Sequence, residues 1–108
     1  MYRQGRSSST RFLVLYWFAR DDDAPSRLGI AVPKKIGGAV VRNRLKRQLR
    51  EIWAAAEEHI PSGNDYVLIA RPGLPEAAEA QGHAWLADRV REVLEKATAL
   101  SGQPGVAA

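Results

Sequence analysis

The sequence predicts a small α/β domain: a two-layer sandwich of a short central sheet and amphipathic helices. Three observations predict it. A chain of 108 residues can build one modest core but not two. Three short runs rich in β-branched and aromatic residues read as strands. Two longer stretches repeat apolar residues at helical spacing, and they alternate with the strands as an α/β fold requires.

Residues 12–19, Phe-Leu-Val-Leu-Tyr-Trp-Phe-Ala, are apolar at every position and bracketed by Arg11 and Arg20. Such a run is a strand covered on both faces, or covered on one and offering an aromatic platform on the other. By alternation Phe12, Val14, Tyr16 and Phe18 share one side, with Leu13, Leu15, Trp17 and Ala19 on the other. Residues 21–26, Asp-Asp-Asp-Ala-Pro-Ser, form a loop. Residues 27–32 form a second strand antiparallel to the first. Pro33 stops it, because proline cannot donate to a sheet ladder.

Residues 34–38 make a loop in which Gly37 and Gly38 permit close backbone approach. From 39 to 59 the period becomes helical. Val41, Leu45, Leu49, Ile52 and Ala56 form one apolar stripe, with Trp53 at its edge. Residues 61–64 end that helix, and residues 66–70 form a third strand. Pro72, Gly73 and Pro75 break the chain again. Over residues 83–100, Leu86, Val90, Val93, Leu94, Ala97 and Leu100 form a second amphipathic helix. Residues 1–100 read as a single domain and residues 101–108 as a flexible tail.

With no cysteine, disulfides, thiolate metal sites and a cysteine nucleophile are excluded. Residues 1–11 are too polar for a secretory signal, and the run at 12–19 is too short to cross a bilayer. The expectation is a soluble, cytoplasmic protein.

Charge placement points to a polyanion. Of 16 basic and 12 acidic residues, seven basic and no acidic ones fall in residues 34–50. The seven are Lys34, Lys35, Arg42, Arg44, Lys46, Arg47 and Arg50. Nine basic and 12 acidic residues are left elsewhere, so one positive patch sits on a mildly acidic body. On a helical wheel Lys46, Arg50, Asn43 and Arg47 fall within about a third of the circumference, opposite Leu45 and Ile52. Arg44 lies just beyond that arc. A merely solvated face would mix signs, pairing Glu with Lys four residues on. These arginines also crowd the positive end of the helix dipole, at about 0.3–1 kcal/mol each. Both features favour nucleic acid over a solvated face. Asn43 either caps the helix start or touches a base edge or 2′-hydroxyl.

The motif within residues 34–51, with its two lysines, glycine pair, Arg42-Asn43-Arg44, Lys46-Arg47 and Arg50, resembles the signature of the bacterial ribonuclease P protein subunit. The segments Arg-Leu-Gly-Ile-Ala-Val at 27–32 and Asp-Tyr-Val-Leu-Ile-Ala-Arg at 65–71 are similar to family segments in family order. The resemblance covers roughly residues 2–100. Family members usually begin with an extra basic, aromatic-containing helix. This chain starts at that helix's last turn, as either a shortened form or one begun at an internal start.

The resemblance implies a sheet in which the basic helix joins two parallel strands by a left-handed crossover, where a right-handed one is the general default. It implies a partner RNA as catalyst, removing the 5′ leader of precursor tRNA with Mg2+ held mainly by that RNA. Its RNA-facing positions match Lys34, Lys35, Arg42, Asn43, Arg44, Lys46, Arg47 and Arg50. Tyr2 and Tyr16 match aromatic positions lining the leader cleft, where unpaired bases stack without regard to sequence. No protein partner, no membrane and no catalytic or metal-ligating side chain is inferred.

The residues themselves carry no sign of a free-standing nuclease. His59 and His83 lack recognisable partners, and Asp21, Asp22 and Asp23 read as a solvated turn. Trp53 and Trp85 read as core, with Trp17 open. The alternative is a ribosomal or duplex-DNA-binding module that uses the helix as a phosphate clamp. An autonomous nuclease is a more distant third.

Overall fold

In the computed structural model, the structure describes residues 6–19, 27–60 and 63–101. Its elements are β1 (Arg6–Ser9), β2 (Leu13–Ala19), β3 (Arg27–Ala31), α1 (Ala39–Ala56), β4 (Asn64–Ala70), α2 (Leu74–Gln81) and α3 (His83–Ser101). Short 3-10 turns at Lys34–Ile36 and Glu57–His59 flank α1. Tyr2, Asp21, Asp22, Asp23 and residues 102–108 of the expected tail at 101–108 lie outside the described residues, as does the side chain of His59, while Ser101 ends α3.

The four strands form one mixed sheet in the order β1-β2-β4-β3. β2 pairs antiparallel with β1 and β4, while β3 runs parallel to β4. The parallel pair is joined through α1. The second strand therefore does run opposite to the first, as expected, but the two are not neighbours. β4 lies between them, because long-range pairing rather than chain proximity sets the order.

Alternation explains the layers. Leu13, Leu15 and Trp17 of β2 and Tyr66, Leu68 and Ala70 of β4 are buried on one face. Leu45, Leu49, Ile52 and Trp53 of α1 and Leu86, Val90, Val93 and Ala97 of α3 close over them in one cluster. Trp53 meets Tyr66 with ring centroids 5.1 Å apart. Trp17 is core as well, at 8% exposure. The half-buried Trp85 meets Phe12 edge-on at 5.2 Å, with Arg11 over Phe12 and Arg89 over Trp85. That stack fastens the β1–β2 turn to α3.

Two elements depart from the sequence expectation. β1, Arg-Ser-Ser-Ser, has no apolar signal. It is held by its register on β2 and by buried Ser8, whose Oγ donates to the Val93 carbonyl of α3 at 3.2 Å. At residues 72–75 the chain does turn, but there α2 begins. Gly73 takes the left-handed conformation at the N-cap, φ 93°, and Pro75 sits in the first turn. Proline is tolerated there because that N–H has no helical partner.

Burial pushes the Tyr66 hydroxyl above the ordinary value of 10.0, opposed by a weaker lowering from the Asn64 side-chain amide, which donates to it at 3.5 Å. The neutral phenol is thus favoured in the folded state. Its contribution to stability is fully present below the unfolded pKa and is lost as pH rises through the raised folded pKa. Tyr66→Phe should therefore melt with less pH dependence than the parent above about pH 10. Identical alkaline profiles for the two proteins would contradict this.

Candidate nucleic-acid interface

The basic segment is built from the turn after β3 and the first three turns of α1. Pro33 closes the strand, and the 3-10 turn Lys34–Ile36 buries Ile36 while leaving Lys34 and Lys35 exposed. Gly37 follows in extended conformation, φ 172°. Its glycine identity answers to space rather than dihedral. A Cβ there would lie 3.0 Å from Val41 Cγ1 and 3.2 Å from Val41 Cβ. Gly37→Ala should cost about 1–2 kcal/mol by overpacking, read as a lower midpoint in thermal unfolding. An unchanged midpoint would mean that the turn is not seated against α1.

Gly38 is the N-cap of α1, with no side-chain cap and no acid in the first turn. The free N–H groups at this end therefore have neither a capping side chain nor a first-turn carboxylate. Arg42 reaches back, its Nε donating to the Gly37 carbonyl at 3.1 Å. This bond couples the lysine turn to the helix and leaves the two terminal guanidinium nitrogens of Arg42 for another acceptor. Asn43 is the fifth helical residue, exposed and beyond reach of the N-cap position. Of its two readings, capping is removed.

Arg44, Arg47 and Arg50 are exposed, and Arg42 and Lys46 half-buried. Among the described residues none of the seven basic side chains is in an ion pair. Elsewhere charges do pair, as in Arg27–Asp65, Arg89–Glu92 and Arg91–Asp88. The patch is thus uncompensated positive charge on a rigid helix seated by Leu45, Leu49, Ile52 and Trp53. An arginine fork in that state takes phosphate oxygens bidentately.

Tyr16 is not brought to this surface. It is 39% exposed on the sheet face opposite the helices. Around it lie half-buried Val14, Phe18, Val67 and Ile69. Beyond Phe18 in the register, Arg27 and Asp65 pair bidentately, at 3.0 and 3.1 Å. The result is an apolar platform with one aromatic face in solvent. The basic helix and the aromatic platform are separate surfaces on either side of the sheet.

A groove of about 400 Å³ opens on another flank of α1, between it and α2. Arg44 and Gln48 line one side, with Glu76 and Glu79 on the other. Sequence reasoning missed it, since its walls come from segments some thirty residues apart. His83, the first residue of α3, is exposed and also faces this groove. Among the described residues no three His, Asp or Glu side chains gather as metal ligands, and no helix is long and apolar enough to cross a membrane.

The family described as Ribonuclease P matches residues 1–98. The ribonuclease P protein component of Brevibacillus brevis is 49% identical over 74 residues, 68% of this chain and 59% of that protein. That of Bacillus cereus is 41% identical over 71 residues, covering 66% and 62%. The chain thus spans about three fifths of the length of these curated relatives. Among solved structures, the RNase P protein of Thermotoga maritima superposes with a TM-score of 0.79 at 34% identity, covering 86% of this chain and 84% of that one. The Staphylococcus aureus protein gives 0.73 at 33%, covering 86% and 81%.

Proposed function

This chain belongs to the ribonuclease P protein family, and on that premise we propose that it is the protein subunit of a cytoplasmic ribonucleoprotein that removes the 5′ leader from precursor tRNA. The observation that carries the reading is the basic segment formed by the Lys34–Ile36 turn and α1, seven basic residues with no acid among them over residues 34–50 and none in an ion pair among the described residues. Lys34, Lys35, Arg42, Arg44, Lys46, Arg47 and Arg50 bind phosphates of the catalytic RNA, and Asn43 reaches a base edge or 2′-hydroxyl. Tyr16 stacks an unpaired leader base on the open sheet face. Tyr2 would belong to the same cleft.

Bond cleavage is assigned to the partner RNA, with magnesium ions held mainly by that RNA supplying charge neutralisation at the phosphodiester. The side chains of this protein bind and orient. Positioning the leader is their contribution, since a substrate held in register reacts as an intramolecular one.

Protein freed of RNA should leave precursor tRNA intact in magnesium. Added to the ribonuclease P RNA at moderate salt, it should raise cleavage at the mature 5′ end. Cleavage by repurified, nuclease-treated protein alone would overturn the assignment. Tyr16→Ala should weaken binding of leader-bearing precursor about tenfold and leave mature tRNA nearly unaffected, one lost stacking contact being worth ~1–3 kcal/mol. Equal loss on both substrates would remove Tyr16 from the leader site.

A further inference from the structure

The groove beside α1 carries charges of both signs that do not meet across it. Arg44 stands on the α1 side, Glu76 and Glu79 stand on α2, and Val41 and Leu45 are apolar lining between them. Among the described residues none of these three charged groups is in an ion pair. Opposite charges that line one groove without bridging it leave room for a ligand that contacts both sides. At about 400 Å³ the space is in the range of small-molecule sites.

Each part of the lining selects a chemistry. The guanidinium takes an anionic oxygen, and the carboxylates take N–H donors. The aliphatic lining takes a flat apolar face. A nucleotide supplies all three, as phosphate, base edge and ring. Guanine matches best, because its N1–H and N2 amine lie side by side and meet the two oxygens of one carboxylate. Adenine and cytosine offer a single amine. Uracil's one N–H is flanked by carbonyl oxygens that a carboxylate repels.

Position supports the same ligand. Arg44 lies three residues from Arg47, ~60° around the helix, so it adjoins both the basic arc and the groove. RNA held on the arc reaches the groove through Arg44, the residue of the basic segment that lines it. A strand continuing past it meets Glu76 and Glu79, which tolerate a base edge but not a second phosphate.

We infer that the groove between α1 and α2 binds one unpaired guanine nucleotide of the RNA held on α1, with Arg44 on its phosphate and Glu76 and Glu79 on its base. The inference deepens the RNA-binding reading and rests on it for the source of the nucleotide.

The test has two arms on the full chain. In the first, the four nucleoside 5′-monophosphates are titrated while the Gln48 side-chain amide and the Gly82 backbone amide are followed by NMR. GMP should move both signals at the lowest concentration and UMP at the highest. Glu76→Gln with Glu79→Gln should weaken GMP about tenfold, as expected for lost charge-assisted bonds. In the second arm, the same double variant and a Glu95→Gln control bind the ribonuclease P RNA. Removing acids from a protein that binds a polyanion should strengthen binding. The inference expects Glu95→Gln to do so slightly and the double variant to bind more weakly than the parent. GMP and UMP binding alike, or a double variant that binds RNA as tightly as the parent or more so, would overturn it. Failure of the parent to bind RNA while GMP still titrates the groove would instead sink the RNA-binding reading and leave a free-nucleotide site.

Discussion

Leu49→Ala is expected to cost about 3 kcal/mol of folding stability, within the ~2–5 kcal/mol range for truncating a fully buried leucine. Leu49 is 0% exposed and lies on α1 between Lys46 and Arg50 on the chain, with its side chain in the core. It seats the helix that displays the basic arc. Its methyl groups sit within a cluster that also holds Leu45, Ile52, Leu68 and Val90, so their removal leaves a cavity among side chains already interlocked. For a chain of this size the midpoint of thermal unfolding should fall by roughly 10–20 °C. All seven basic residues remain, so any RNA affinity lost in this variant should return on cooling into its folded range. A loss below about 1 kcal/mol would mean that α1 is not anchored through this residue.

Converting Lys46, Arg47 and Arg50 together to alanine should have the largest effect on binding. Each phosphate contact contributes about five- to tenfold at 0.1 M salt, so the triple variant should bind the ribonuclease P RNA about 100- to 1,000-fold more weakly. Two of the three side chains are exposed and the third half-buried, and none is in an ion pair among the described residues. Alanine is also the strongest helix former. The melting midpoint should therefore hold or rise while affinity collapses, which is the opposite signature to Leu49→Ala. A triple variant that keeps parental affinity would move the RNA site away from α1.

These two variants mark what was legible in the sequence. The apolar stripe through Leu45, Leu49 and Ile52 and the alternation through Leu13, Leu15 and Trp17 are strong periodic signals, and both became core. The basic segment was legible from composition alone, since no acid interrupts it. β1 was not, because three serines carry no periodic signal and the strand exists only through its neighbour. α2 was hidden by Gly73 and Pro75, which mark a helix start as readily as a break. The seat of β4 between β2 and β3 is a matter of long-range pairing, invisible to local pattern. In the site, the Arg42 bond to Gly37 and the fit of Gly37 against Val41 depend on side-chain directions within the folded turn. The groove required residues from α1 and α2 to be placed side by side. Local chemistry was readable; juxtaposition was not.

The most direct measurement of the central claim, that α1 binds RNA through phosphates, is the salt dependence of affinity. With about 4–6 phosphates engaged, log K for the ribonuclease P RNA should fall against log salt with a slope of roughly −3 to −5. Arg47→Ala should make that slope shallower by about 1 and weaken all RNAs alike. A slope near zero for the parent, or an unchanged slope in Arg47→Ala, would contradict it.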